Sequence, residues 1–190
     1  MSGVIQYKRV ICIKTICLSI VLFFTYSVSA QDSNYQTLDW TELMPADDLE
    51  ALWNPPDYIN ELPEGSPLDN VDASNEEFSP ADPYQSALVS TRVVEDLVGE
   101  KVNLPGFIVP LEFDESMTVT QFFLVPYFGA CIHLPPPPPN QMVLVDYPEG
   151  IEVSGLYTAF WISGELESEI TENSLGTSAY RMQMDSFETY

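Results

Sequence analysis

Residues 101–113 read KVNLPGFIVPLEF, and after a short break residues 118–128 read TVTQFFLVPYF. Both stretches are rich in Val, Ile and Phe, which is typical of β-strands. Three similar stretches follow: NQMVLVDYP (140–148), LYTAFWISGELE (156–167) and SAYRMQMDSFETY (178–190). Gly, Pro, Asp or Asn residues separate them, as turns require. Five short strands of this kind predict a small closed or partly open β-barrel rather than a large sandwich.

Prolines and one glycine fall inside the first two strands. Pro105, Pro110 and Pro126 cannot donate a backbone hydrogen bond, so each predicts a sheet edge, a bulge or a break. Gly106 predicts a strongly bent point in the first strand.

A helix is predicted directly before the barrel. Asp82 is a suitable N-cap, Pro83 suits the first helical position, and Gln85 stands where a capping box needs it. Gly99 is the predicted C-terminal end of this helix. The apolar residues that recur at helical spacing between these points are Leu88, Val89, Val93, Val94 and Leu97.

The chain resembles a known family over residues 84–190. The stretches that carry the resemblance are LVGEKVNLPGFIVPLEF (97–113) and FFLVPYFGACIHLPPPPPNQMVLV (122–145), with a weaker echo in LDWTELMP (38–45). They look like the exported bacterial family DUF3299. The resemblance implies an OB-like β-barrel and, for some members, an accessory place beside zinc-linked ABC-type transport systems. It implies no reaction.

Residues 1–30 are predicted to be a secretory signal peptide. Lys8, Arg9 and Lys14 precede the apolar run ICLSIVLFFTYSVSA (16–30), which ends in small residues. Cleavage before Gln31 would place the protein in the periplasm without direct insertion into the membrane. The alternative is a retained anchor, although the run is short for a full span.

The remaining chain is strongly acidic. Lys8, Arg9 and Lys14 leave with the signal peptide, so all 29 acidic residues face only Arg92, Lys101 and Arg181. Nucleic acids and anionic membrane surfaces are excluded as partners, because binding them requires Lys and Arg to neutralise phosphates. A surplus of negative charge favours cations and cationic partners.

Residues 31–83 are predicted to form an irregular, acidic, proline-containing arm that is partly disordered, mainly between residues 54 and 82. Within it, LDWTELMP (38–45) and DDLEALW (47–53) can dock on the barrel through short helical turns. Their apolar residues are Trp40, Leu43, Leu49, Leu52 and Trp53. The whole is then mainly β: a five-stranded OB-like barrel with one preceding α-helix and this arm.

The segment FGACIHLPPPPP (128–139) holds the strongest candidate for chemistry. Cys131 and His133 lie two residues apart, so their side chains share a face if the backbone is extended. Zinc or Cu(I) accepts both ligand types. Glu112, Asp114 and Glu115 close the first predicted strand and are candidates to complete the site, with Glu112 as the chosen third ligand. Two alternatives stay open: a buried thiol beside a hydrogen-bonded histidine, and a Cys–His thiol nucleophile.

The five prolines 135–139 predict a stiff strap that fixes where Asn140 and Gln141 re-enter the sheet. The alternative is a docking surface for an aromatic-lined groove. The aromatic residues that an OB barrel could use for stacking are interpreted as core, because the charge excludes an oligonucleotide. They are Tyr127, Phe128, Tyr157, Phe160 and Trp161.

The sequence therefore predicts a secreted, non-enzymatic protein. Its function would be the handling of zinc or copper ions, or support of an ABC-type transporter or another envelope protein. The competing hypothesis is a structural or protein-binding module without a metal site.

Overall fold

The computed structural model describes residues 34–61, 79–115, 118–129, 137–152 and 157–190. The strands are β1 (Gln36–Thr37), β2 (Lys101–Phe113), β3 (Val119–Val125), β4 (Val143–Ile151), β5 (Ala159–Asn173) and β6 (Gly176–Thr189). The α-helices are α1 (Ala46–Trp53) and α2 (Pro83–Leu88). Short 3₁₀ turns cover Trp40–Leu43, Asp57–Glu61, Glu95–Leu97 and Pro139–Gln141.

Five strands form a closed barrel in the order β2-β3-β4-β6-β5, and β2 pairs with β5 to complete the ring. β4 and β6 run parallel, whereas the other four pairings of the ring are antiparallel. This is the OB-fold arrangement, in which the first barrel strand pairs with both the second and the fourth. The predicted mainly β, OB-like five-stranded barrel is confirmed.

β2 serves two neighbours because it changes partner at Phe107. Residues 101–107 pair with β5, and residues 107–113 pair with β3. The bend predicted at Gly106 coincides with this change. A Cβ atom on Gly106 would lie 2.8 Å from the carbonyl oxygen of Val125, so only glycine lets the two strands approach this closely.

The prolines occupy the irregular positions that the sequence predicted. Pro110 borders a register shift between β2 and β3, and Pro126 follows the last residue of β3. Pro105 lies opposite Trp161 of β5, while its carbonyl oxygen accepts a hydrogen bond from the Trp40 indole on the other edge. A residue's N–H and C=O share one edge of a strand, so the missing donor of Pro105 falls where no strand pairs.

The barrel interior is closed at one end by residues that precede it in sequence. Leu38 and Leu43 are fully buried in the main core, together with Leu97. The Tyr180 hydroxyl accepts a hydrogen bond from the Val94 amide at 2.7 Å and donates one to the Leu43 carbonyl at 2.9 Å. The beginning of the predicted arm thus forms the floor of the barrel.

The docking of the two apolar patches through helical turns is confirmed in part. Trp40 packs against the main core, and Leu49 and Leu52 are half-buried. Trp53 is 69% exposed at the end of α1. Its interpretation as a docking residue is therefore wrong, because within the same helical turn it is Leu52 that is half-buried while Trp53 faces solvent.

The predicted helix before the barrel begins as expected but is much shorter. The Asp82 carboxylate accepts hydrogen bonds from the Tyr84 and Gln85 amides, and Pro83 is the first helical residue. The helix ends at Leu88, not near Gly99. β-branched residues crowd the following stretch, and the Val94 amide is committed to Tyr180 rather than to a helical carbonyl.

A second, smaller apolar cluster lies on the outer side of β2, β3 and β4. Its fully buried or nearly buried members are Phe123, Val125, Met142 and Leu144, and its half-buried ones are Phe107, Val109 and Leu111. Within the described part of the chain, no helix is both long and apolar enough to cross a membrane.

Candidate functional site

The predicted metal ligands are only partly within the described structure. Cys131 and His133 lie outside the described residues. Glu112 is exposed on β2, opposite Gln121. Gln121 precedes the end of β3 at Val125 by four residues, or roughly 13 Å of strand, so Glu112 is far from the entry of the segment that carries Cys131. The three-residue metal set stays a prediction.

The described ranges, which omit residues 130–136, hold no group of three or more His, Cys, Asp or Glu side chains arranged to bind a metal. What they do show is how both ends of that segment are fixed. At the entry, Phe128 packs edge-on against Phe107 with ring centroids 6.2 Å apart, and Gly129 follows with a φ of 82°. Only glycine adopts that conformation readily.

At the exit, Pro137 is buried and the chain turns at Pro139–Gln141. The Gln141 side chain donates to the Trp40 carbonyl at 2.7 Å. The Asn140 side chain donates to the Arg92 carbonyl at 3.2 Å and to the Asp48 carboxylate at 3.3 Å. These side chains hold the re-entry of the chain, while the role of the proline strap stays a prediction because Pro135 and Pro136 lie outside the described residues.

Four side chains form what we call the Asp48 cluster: Asp48, Ser90, Arg92 and Asn140. The buried Asp48 carboxylate accepts a 2.6 Å hydrogen bond from the Ser90 hydroxyl and lies 3.1 Å from the Arg92 guanidinium. Arg92 also binds Asp47 through two hydrogen bonds, which lower the pKa of the Asp47 carboxyl. The cluster ties α1, the segment after α2 and the end of the strap together. Sequence reasoning missed it, since its members are spread over more than 90 positions.

A set of exposed rings covers the outer face where β2, β5 and β6 meet. Pro105, Trp161 and Glu188 form one row across the three strands. Phe107 and Ala159 begin the next row, and the Tyr190 amide donates to the Ala159 carbonyl. Side chains two residues apart on a strand share a face, so both rows point outward together.

The rings in these rows contact one another. Trp161 stacks on Tyr190 with centroids 5.4 Å apart, and Phe128 lies against Tyr157 at 4.3 Å. Phe128 also contacts Phe107. Phe107 lies opposite Ala159, whose carbonyl accepts the Tyr190 amide, so the Phe128–Tyr157 pair and the Trp161–Tyr190 pair meet at Ala159. We call this set the outer aromatic surface: Phe107, Phe128, Tyr157, Trp161 and Tyr190. Tyr157 is 79% exposed and Tyr190 is 74% exposed.

The interpretation of the barrel aromatics as core is therefore wrong for most of them. Phe160 is buried in the main core, but Tyr127, Phe128 and Tyr157 are exposed and Trp161 is half-buried. The two-residue period of β5 supplies the signal. Phe160 and Trp161 are adjacent, so one of them must point outward if the other points inward.

The charges around this surface are unbalanced. Each of the three cations within the described ranges is bound to carboxylates elsewhere: Arg92 to Asp47 and Asp48, Lys101 to Asp185, and Arg181 to Asp146 and Glu169. None of these three cations pairs with Glu188, which lies beside Trp161. The surface therefore presents rings next to an unneutralised carboxylate.

A further set of contacts, which we call the Lys101 group, joins Lys101 of β2, Asp185 of β6 and Tyr35, which precedes β1. The Tyr35 hydroxyl donates to Asp185 at 2.9 Å, and the Lys101 ammonium lies 3.1 Å from the same carboxylate oxygen. These two contacts hold the pKa of Asp185 below its usual value, the Tyr35 hydrogen bond having the larger effect. The same contacts raise the pKa values of Tyr35 and Lys101.

The sequence and the fold are similar to those of known proteins. The family described as "Protein of unknown function (DUF3299)" matches residues 40–189. This range begins within the 3₁₀ turn that closes the barrel, so it includes much of the segment that the sequence assigned to an arm. A comparison with curated proteins gives no match.

Among solved structures, a DUF3299 family protein from Pseudomonas aeruginosa PAO1 is 35% identical, with a TM-score of 0.59. The match covers 82% of this chain and 96% of that one. The asparaginyl-tRNA synthetase of Entamoeba histolytica also matches, at 15% identity over 50% of this chain and 21% of that one. Its TM-score of 0.30 is too low to show a shared fold. The length of the family match and the identity to the Pseudomonas protein show that the chain belongs to the DUF3299 family.

Proposed function

We propose that this protein is a non-enzymatic binding module of the cell envelope that docks a partner protein through the outer aromatic surface. The observation that carries the proposal is the exposure of several contacting rings on a rigid barrel. Monomeric proteins rarely leave contiguous apolar patches of this kind open to water unless a partner covers them. Tyr and Trp are also the residues that contribute most to binding energy at protein interfaces.

Export through residues 1–30 is part of the proposal. The partner is a membrane transporter or another envelope protein, the class that the family resemblance suggested. The absence of recognised nucleotide-binding or nucleophile-elbow motifs from the sequence supports a non-enzymatic role.

In-cell photo-crosslinking tests the docking. A photoreactive residue placed at Tyr157 should give one discrete adduct with an envelope protein in the native host. The matched control is Phe113, which is 51% exposed but lies at the end of β2 beyond the outer aromatic surface. The partner, identified by mass spectrometry and purified, should bind Tyr157→Ala at least about tenfold more weakly than wild type, with Phe113→Ala unchanged. Equal adducts from both positions, or none from Tyr157, would refute docking at this surface.

Handling of zinc or Cu(I) by Cys131 and His133 is the second candidate. The specific observation that favours it is the fixing of both ends of their segment, by Phe128 and Gly129 on one side and by Asn140 and Gln141 on the other. Ligands held on a short segment with fixed ends lose less entropy when they bind an ion. The two functions are compatible, because the entry to the segment borders the outer aromatic surface.

A further inference from the structure

We infer that the outer aromatic surface recognises a Lys- or Arg-bearing segment of the partner, with Glu188 as the pairing carboxylate. This inference rests on the proposed function and deepens it, since it names the chemistry of the partner.

The first argument is the local geometry. Trp161 and Tyr190 are stacked, and Glu188 lies directly across from Trp161 in the β5–β6 pairing. A cation over the face of Trp or Tyr is attracted by the negative face of the ring. A carboxylate beside the same ring adds a charge-assisted hydrogen bond. Two stacked rings with an adjacent carboxylate therefore match an ammonium or guanidinium group.

The second argument is that the protein uses this combination within itself. Lys101 lies 5.6 Å from the centroid of the Tyr35 ring while its ammonium group pairs with Asp185. Lys101 is on β2, whose residues 101–107 pair with β5. The Lys101 group is thus an internal example of a cation held between a tyrosine ring and a carboxylate, two rows along the same sheet from Pro105.

The third argument is overall charge. The chain has a formal net charge of −23, so an acidic partner, a phosphate-rich surface or a second copy of the chain would be repelled. A basic segment would be attracted over a distance of about 10 Å at moderate ionic strength. A neutral sugar or an uncharged peptide could donate a hydrogen bond to the Glu188 carboxylate, but only a cation would also neutralise its charge.

Peptide titration with matched variants tests the inference. The probe is a twelve-residue peptide with four lysines separated by Gly and Ser, and its comparison peptide replaces each lysine with glutamine. Binding to the purified protein is followed by calorimetry and by the chemical shift of the Trp161 indole N–H. We expect the lysine peptide to bind and to shift the Trp161 signal, with weaker binding as salt rises.

The variants separate a site from diffuse attraction. Glu188→Gln and Tyr190→Ala should each weaken binding of the lysine peptide at least about fivefold. Glu172→Gln removes the same charge from an exposed position near the other end of β5, and Trp53→Ala removes another exposed ring. Neither should change the affinity by more than about 1.5-fold.

Each other outcome has a defined meaning. Equal losses in Glu188→Gln and Glu172→Gln would show diffuse attraction and overturn the inference, while the docking surface itself would be judged by crosslinking at Tyr157. Equal binding of the glutamine peptide, dependent on Tyr190 but not on Glu188, would overturn the cationic partner and support a docking site for uncharged ligands. No binding of either peptide, with a Tyr157 adduct still present, would reject the inference but not the proposed function.

Discussion

The hydroxyl oxygen of Tyr180 lies 2.9 Å from the carbonyl oxygen of Leu43, although 137 positions separate the two residues. The same hydroxyl accepts the amide hydrogen of Val94. One buried side chain on the last barrel strand thus satisfies two backbone groups that belong to the floor of the barrel. Burial also raises the pKa of the Tyr180 phenol, so it stays protonated and able to donate at neutral pH.

Tyr180→Phe should lower the free energy of unfolding by about 1–3 kcal/mol, because the buried Leu43 carbonyl and the half-buried Val94 amide both lose their partner. Chemical denaturation measures the change. Tyr157→Phe is the control: its ring is exposed, and its effect should stay within about 0.5 kcal/mol. Equal stability of Tyr180→Phe and wild type would show that water can reach both backbone groups.

Gly106→Ala should destabilise the barrel by about 1–3 kcal/mol, because the new methyl group would press on the Val125 carbonyl and the Leu124 side chain. Thermal unfolding followed by circular dichroism is a suitable measurement. Thr189→Ala, an exposed change on β6, serves as the control. Should Gly106→Ala unfold at the wild-type temperature, the close approach of β2 and β3 would be incorrect.

The two adjacent aspartates of α1, Asp47 and Asp48, should differ sharply in how much each stabilises the folded protein. Asp48→Ala should cost about 1–3 kcal/mol of folding free energy, since Ser90 and Asn140 lose a buried acceptor. Asp47→Ala removes a carboxylate whose side chain is 67% exposed, and should cost less than about 1 kcal/mol. Both bind Arg92, so denaturant titration of the pair isolates burial as the cause. Equal losses would contradict the cluster as described.

The pH dependence of stability should include a contribution from Asp185. Its pKa is lowered in the folded state, so the unfolded chain takes up the proton first as the pH falls. The contribution is therefore present above the usual value of 3.8 and is lost as the pH falls through the lower folded pKa. The stability difference between wild type and Asp185→Asn should be constant above about pH 5 and shrink below about pH 4. A difference that grows in acid would reverse the sign and refute the assignment.

Metal binding by Cys131 and His133 can be tested directly. Cys131→Ser and His133→Ala should each abolish stoichiometric zinc or Cu(I) binding under reducing conditions, as measured by native mass spectrometry. Affinity should fall below about pH 6.5, because the imidazole must be neutral to bind. Glu112→Gln tests the third ligand, with Glu172→Gln, an exposed change on β5, as its control. Wild type that binds no equivalent of either ion would end the metal hypothesis.

The barrel could be predicted from the sequence because each strand carries its own local signal. β-branched and aromatic runs bounded by turn residues do not depend on distant partners, and neither does the N-cap at Asp82. The length of the following helix did depend on them. Its apolar spacing fits a helix up to Leu97, yet Val94 is held in an extended segment by Tyr180, 86 positions away.

Some features of the candidate sites could likewise be predicted from the sequence, and others could not. The return of the chain to the sheet soon after the prolines could be predicted from the sequence, since a turn covers Pro139–Gln141 and the next strand begins at Val143. The Asp48 cluster could not be predicted, because its members are up to 92 positions apart. The outer aromatic surface could not be predicted either, because which face of β5 points outward is decided by its pairing with β2 and β6. The exclusion of an oligonucleotide by charge stays a prediction, and it did not follow from it that the rings were buried.

The contact between Leu43 and Tyr180 also sets an order of events during folding. The floor of the barrel comes from the beginning of the described chain, whereas its hydrogen-bond partner lies on the final strand. A chain that emerges from its N-terminus first cannot close the barrel until nearly all of it is available. Loop closure over such a separation makes folding slow. The N-terminal half of the described chain therefore stays without its native partners until synthesis is nearly finished.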